Sequence, residues 1–372
     1  MSLLGDIIDR VLSPNREIHV IPVLDGAFSP NQRLDQARQL GDEVERPDDI
    51  ALGPDGAAYV STGNRILRCT GDDLDARAEF ATLDGPVGGL GCAPDGRLLA
   101  CVSGVGLVAL SRTGEVVGRL ESVGGEKIAC PLSVTVAPDG AIYLTDGSRN
   151  NRPELWLTDL MQNRVPSGRL IVCNSSLGGA SVRADKLAWP LGVVVSADAK
   201  EVWVAESWAH RLTAFSRAGD EKRVIVKNYS GYPARLARGT DGEVWMAFLA
   251  LRTQLTEFVL RERAFCEEMM RTVPSELWIG PALDGRLNPR EPTQIGRIKK
   301  LGIQKPWAPP RSYGLVARLD ARGVAMETLH SRVDGRVHGV IAVRPIGSRM
   351  LAVSKGRDCL VELLLDRGAQ EG

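Results

Sequence analysis

Between Asp48 and His338 lie several residues that could do acid–base chemistry if the fold gathered them. Asp48, Asp49, Asp146 and Glu206 are carboxylates able to carry a proton or orient water, and carboxylates crowded together raise one another's pKa. His338 would serve as proton carrier among them. Arg235 has the forked donor set that holds a carboxylate or polarises a carbonyl. Each residue also has a competing structural role. Asp48 and Asp49 could cap a strand entry by accepting backbone amides, Glu206 could pair with Arg211 or Arg149, and His338 could be a packing histidine. Trp208 could wall a pocket or pack between neighbouring elements.

The elements that would gather them come from an internal repeat. Residues 47–60 (PDDIALGPDGAAYV) return in altered form at 87–100, 131–145, 190–205, 233–247 and 337–353. Each copy is an alternating run, a tight Asp-Gly-type turn and a second alternating run, the signature of a β-hairpin. Turn-to-turn steps of 40, 44, 59 and 43 residues match the ~40–50 residues of a four-stranded propeller blade. The step of 59 contains an insertion around residues 150–167. The last step, 106, contains a helical pattern at 255–272 and a proline-rich stretch at 304–310, rejoined by an outer strand at 313–319. A degenerate seventh blade hidden there is the alternative. The expected fold is all-β: one six-bladed propeller over 17–368, with a helical insertion in blade five at about 253–310. A short N-terminal helix would cover 1–16, and residues 18–23 (IHVIPV) would close the ring against the last blade.

In such hairpins the Asp-Gly turns share one face. Residues before each first strand and after each second strand share the other, where converging loops make a pocket. Asp48, Asp49, Leu132, Leu191, Arg235 and His338 precede first strands. Asp146, Glu206, Trp208 and Phe248 follow second strands, with Glu45 and His210 close by.

Composition narrows the function. The 372 residues carry 46 Lys+Arg against 46 Asp+Glu, which gives no field for nucleic acid or anionic lipid. No run of about 18 apolar residues offers a membrane span. Seven cysteines without metal-type spacing read as buried thiols rather than a disulfide framework, and the acid-containing N-terminus does not read as a signal peptide. A cytoplasmic protein with a small-molecule substrate is expected.

Four stretches resemble the strictosidine synthase-like family: PLGVVVS at 190–196, VWVAESWAHRL at 202–212, IYLTDGS at 142–148, and YPARL at 232–236 with GEVWMA at 242–247. The resemblance spans about residues 40–365. It implies a six-bladed propeller of the superfamily that includes gluconolactonase-type hydrolases, which open lactones or esters with a divalent cation at the channel mouth. A hard cation such as Ca²⁺ takes about six to eight oxygen ligands. Where that superfamily places them, this chain has Glu45, Asp48 and Asp49 before blade one, then Leu132, Leu191 and the pair Ala234-Arg235. Leucine cannot ligate a metal, so the resemblance implies that the usual calcium site is absent; no cofactor is expected, a divalent cation such as Ca²⁺ being the disfavoured alternative. The glutamate that strictosidine synthase uses before blade six falls near Asp334-Gly335-Arg336, where no Glu stands; Asp334 and His338 are the nearest substitutes. The expectation is a hydrolase of a small cyclic ester (lactone) or amide, with Asp48, Asp49, Glu206 and His338 catalytic. Arg235, Trp208, Asp146, Leu191, Leu132 and Phe248 would contact substrate. An amine–aldehyde condensing enzyme or a non-catalytic ligand-binding propeller are the alternatives.

Overall fold

The structure, a computed structural model, describes residues 20–162, 165–284, 299–300, 303–305, 308 and 310–365. Six four-stranded antiparallel sheets follow one another round a central channel. Their innermost strands are Pro47–Leu52, Val87–Cys92, Pro131–Val136, Pro190–Val195, Gly231–Arg238 and Val340–Ile346. The N-terminal helix expected over 1–16 lies outside the described residues.

The hairpin turns are as local as the repeat suggests. Gly56, Gly96, Gly140 and Gly242 take φ between +78° and +86°, a region that costs a residue with a Cβ. In blades one to three the aspartate before that glycine, and in blade four the aspartate before Ala199 (φ +54°), accepts the amide two residues on: Asp55 from Ala57, Asp95 from Arg97, Asp139 from Ala141 and Asp198 from Lys200. Large buried side chains such as Trp203 and Trp245 then fill the wedges between blades.

Closure differs from the expected register. The fourth strand of blade six is Arg38–Leu40, pairing antiparallel with Cys359–Leu364. Residues 20–23 form no strand, and Val20 and Val23 are exposed, while residues 18–19 lie outside the described set. Leu40 is fully buried and Arg38 reaches both Glu362 and Asp73, so the shorter segment makes the better edge. In blade five, Gly314–Leu319 is the third strand rather than the outer one; Ala325–Ser331 lies outside it. Its buried run of Leu315, Val316 and Ala317 needs cover on both faces.

The helical pattern at 255–272 is two helices. α2 (Gln254–Arg261) and α3 (Arg263–Thr272) meet at Glu262, whose ψ of 79° breaks the ladder. A shorter helix from the blade-three insertion, α1 (Trp156–Gln162), precedes them in the chain. Met161 of α1 packs with Val259, Leu260, Cys266 and Met269 in a small apolar cluster of its own. The two insertions thereby form one cap over one end of the channel. Among the described residues no helix is long and apolar enough to cross a membrane.

Candidate active site

At the channel end opposite the Asp-Gly turns lies a cavity of about 500 Å³. Its floor is made by the starts of the first strands, and the cap supplies part of its wall through Trp156 and Leu283. Two lining residues share an unusual backbone. Arg46 and Trp189 each precede the proline that opens a first strand, and each has φ +52°. Residues before proline favour extended backbone, so this left-handed pair is held by its surroundings. The Trp189 indole stacks on Trp208 with centroids 5.2 Å apart and planes 18° apart.

Most of the lining is apolar, with Leu132, Leu191, Leu249, Ile341, Trp156 and Trp189 prominent. Against it stands a chain of alternating charges. Lys355 donates to Asp48 Oδ2, while Arg235 donates to Asp48 Oδ1 at 2.5 Å and to its carbonyl at 2.8 Å. Arg235 also donates to the Leu132 carbonyl, and its Nε lies 3.3 Å from Asp49 Oδ2. Asp49 accepts from Arg344 at 2.9 Å and from the amides of Ile50 and Leu90. Burial alone would raise the Asp48 pKa, but Lys355 and Arg235 outweigh it and hold the carboxyl at about 2. Asp48 is therefore a permanent anion at neutral pH and a weak base.

The expected site residues divide. Asp48, Leu132, Leu191 and Arg235 line the cavity. Asp49 sits one layer below them, 1% exposed, and Trp208 stands behind Trp189, its Nε1 donating to Asp159. Asp146, Glu206, His338, Phe248 and Asp334 do not line it. Burial raises the Asp146 pKa despite Arg169, which donates to Oδ2 twice, and Oδ1 accepts the Cys130 amide. Glu206 accepts from Arg211, Thr213 and the Ala188 amide. Its burial would raise its pKa, but these donors, Arg211 foremost, bring it below the usual value. Buried His338 is bonded at both nitrogens. Nε2 lies 2.8 Å from the Arg332 carbonyl and so donates, which leaves Nδ1 to accept from Ser312 Oγ. Burial lowers its pKa, keeping it neutral. Phe248 is core, edge-on to Tyr229 and Phe28. Proton transfer through Glu206 or His338 has no geometric basis in this arrangement.

Sequence reasoning missed Lys355, Trp189, Trp156, Arg46 and Glu154, all lining residues. Lys355 directly follows Ser354 at the end of a second strand, so extending the repeat by one residue would have found it. Trp189 and Arg46 lie one residue upstream of the repeat copies that begin at 190 and 47. Trp156 and Glu154 lie in an insertion, where the repeat carries no information.

The donor set does not fit a hard divalent cation. Of the positions that the sequence resemblance points to as ligands, Leu132, Leu191 and Ala234 offer no side-chain oxygen, and Arg235 brings a guanidinium to the centre. Both Asp48 oxygens already accept from cations. Among the described residues no group of three or more His, Cys, Asp or Glu could hold a metal ion.

Comparison with known proteins agrees with this architecture. The strictosidine synthase family model matches residues 133–216, and the model of the strictosidine synthase-like N-terminal region matches 26–68. The adipocyte plasma membrane-associated protein of Salmo salar is 25% identical over 251 residues, 62% of this chain and 60% of the relative. Protein STRICTOSIDINE SYNTHASE-LIKE 6 of Arabidopsis thaliana is 24% identical over 213 residues, 55% of this chain and 56% of the relative. The chain thus matches somewhat under two thirds of the length of these relatives. A solved gluconolactonase from Xanthomonas campestris superposes with a TM-score of 0.59 at 15% identity, over 90% of this chain and 91% of that one. Regucalcin from Agrobacterium tumefaciens, described as calcium-binding, gives 0.57 at 12%, over 88% and 92%. By these matches the chain is similar in sequence to strictosidine synthase-like proteins, and it has the six-bladed propeller fold of the solved gluconolactonase and regucalcin structures.

Proposed function

We propose that this chain is a hydrolase that opens a small, largely apolar cyclic ester or amide in the capped cavity, without a resident metal ion. The observation that carries the reading is the Lys355–Asp48–Arg235 cluster set against an otherwise apolar lining. An ammonium has three donors, and Asp48 takes one of them. A substrate carbonyl bonded to Lys355 Nζ is polarised, and charge developing on its oxygen is stabilised more strongly in a water-poor cavity than in bulk water. Asp48, fixed as an anion, orients Lys355 instead of taking a proton. Glu154, the other carboxylate among the described lining residues, is the candidate to activate water. Water then adds to the carbonyl, the ring C–O or C–N bond breaks, and the leaving heteroatom takes up the proton.

Specific observations favour a second reading, a ligand-binding propeller without turnover. Asp48 is a poor base, and among the described residues no histidine lines the cavity. The test is a screen of lactones, esters and cyclic amides with and without EDTA. Turnover that EDTA leaves intact, and that Lys355→Met and Glu154→Gln each reduce, supports hydrolysis. Saturable binding with no turnover of any compound sinks it in favour of the second reading. Products formed only from amine and aldehyde pairs would point to condensation instead. We keep a reducing compartment such as the cytoplasm as the expected setting, on the support of seven cysteines with none in a disulfide.

A further inference from the structure

Three cations and two acids form the column that runs along the channel: Lys355, Asp48, Arg235, Asp49 and Arg344. The inner members are well shielded, with Arg235 2%, Asp49 1%, Asp48 17% and Arg344 18% exposed. Each acid is shared between two cations, so the column holds one positive charge more than it neutralises. The imbalance falls at the cavity end. Lys355, 32% exposed, lines the cavity and has, among the described residues, a single acid against it. Arg344, at the other end, is secured by both Asp49 and the Val343 carbonyl.

The rim does not cancel this excess. Arg46 and Glu154 are both exposed and of opposite sign, and Glu45, which pairs with Arg46 at 3.5 Å, is 75% exposed. Charges in open water are screened within about 8–10 Å at ordinary ionic strength, whereas shielded ones are screened much less. The rest of the wall gives a ligand little to bond to. A hydroxyl buried against Leu132, Leu191, Trp156 or Trp189 would lose its water without replacement, which is unfavourable.

From this we infer that the cavity is a receptor for apolar monocarboxylates, with the carboxylate on Lys355 Nζ and the apolar body between Trp156 and Trp189. One carboxylate brings the column to three cations and three acids. The inference rests on the proposed reading and sharpens its substrate class. Ring opening yields such a carboxylate together with one new hydroxyl or amino group on the same molecule, and the parent ring is apolar rather than polyhydroxylated.

Binding can be read without turnover, so the test stands apart from the hydrolysis screen. The intact chain is titrated calorimetrically with 4-phenylbutanoate, its uncharged amide 4-phenylbutanamide, and gluconate. The butanoate should bind about tenfold tighter than the amide, the order of factor a charge-assisted hydrogen bond supplies, and gluconate should bind more weakly than either. Lys355→Met should erase the preference for butanoate over amide, and Lys355→Arg should restore most of it, which separates lost charge from lost folding. Equal binding of butanoate and amide overturns the inference, as does an undiminished preference in Lys355→Met. Gluconate binding as tightly as the butanoate, or no saturable binding of the butanoate, also overturns it. Binding as expected with no hydrolysis of any compound would leave this inference standing while the catalytic reading fails.

Discussion

Two groups of buried carboxylates in this propeller do different work. Asp146 and Glu206 end the second strands of blades three and four, and each faces an arginine in register on the third strand, Arg169 and Arg211. Each also accepts an amide from just before the first strand of its own blade, Cys130 or Ala188. Asp48 and Asp49 open the first strand of blade one, and their cations come from other blades: Arg235 in blade five, Arg344 and Lys355 in the neighbouring blade six. A pair in register within one blade ties that blade's strands together, and Arg169 extends its tie to Glu126 and the Lys127 carbonyl. A cluster assembled from three blades sits where the ring converges, and one of its members borders the cavity.

The largest effect should come from breaking a tie within a blade. Arg169→Met leaves Asp146 buried without its cation, and uncompensated buried charges cost about 3–5 kcal/mol. Urea unfolding should show that loss, while ligand affinity of the molecules still folded stays the same. A matching loss of affinity would mean that the two groups are not separable.

Next in size is the cavity end of the inter-blade cluster. Lys355→Met should change stability by less than about 1 kcal/mol, because the ammonium is partly exposed. Under the proposed function it should lower kcat/KM about a hundredfold, in the range found for removing one donor to a developing oxyanion. The opposite pattern, a large stability loss with activity intact, would place Lys355 among the structural ties.

How far the sequence reaches follows the same division. The hairpin turns were legible because an Asp-Gly turn is decided by adjacent residues, and the six blades followed from their spacing. The Asp146 and Glu206 ties were legible in principle, since an acid closing the second strand and an arginine opening the third recur in consecutive blades. Closure by Arg38–Leu40 was not, because a three-residue edge strand has no periodicity and its partners lie more than 300 residues away. The break at Glu262 and the left-handed Trp189 depend on packing that no local pattern encodes. Arg235 and Asp48 could be placed on one face, but Lys355 bridging to Asp48 joins residues 307 positions apart. Such a contact becomes visible only when the ring is closed.

A smaller effect should come from pH. Asp48 is held at about 2 against an ordinary 3.8, so its folded pKa is depressed. Its contribution is fully present above about pH 4 and lost as pH falls towards 2, amounting to about 2 kcal/mol. Acid unfolding of Asp48→Asn should lack that share of the slope between pH 4 and 2. Turnover of the unaltered chain should show no acid limb from Asp48 above pH 4. An activity pKa that moves in Asp48→Asn would return Asp48 to the role of base.

The smallest effect is expected at His338, and it discriminates most sharply. Its ring donates to the Arg332 carbonyl and accepts from Ser312, away from the cavity, and burial lowers its pKa. A histidine with a lowered folded pKa adds stability above its unfolded value near 6.5, and that stability is lost as pH falls below it. His338→Gln keeps a side chain able to donate and accept. It should therefore alter kcat/KM by less than about threefold and leave its profile between pH 6 and 8 unmoved, since no proton transfer runs through the ring. The change should appear instead in unfolding, as a shallower loss of stability below pH 6.5. A proton shuttle would behave the other way: general acid–base groups typically contribute about 10²–10⁴-fold to rate, and the pH profile would shift with the residue. If the profile does shift, a ring bonded at both nitrogens outside the cavity would have to release a partner during turnover, and cavity lining would no longer suffice to separate the working groups from the structural ones.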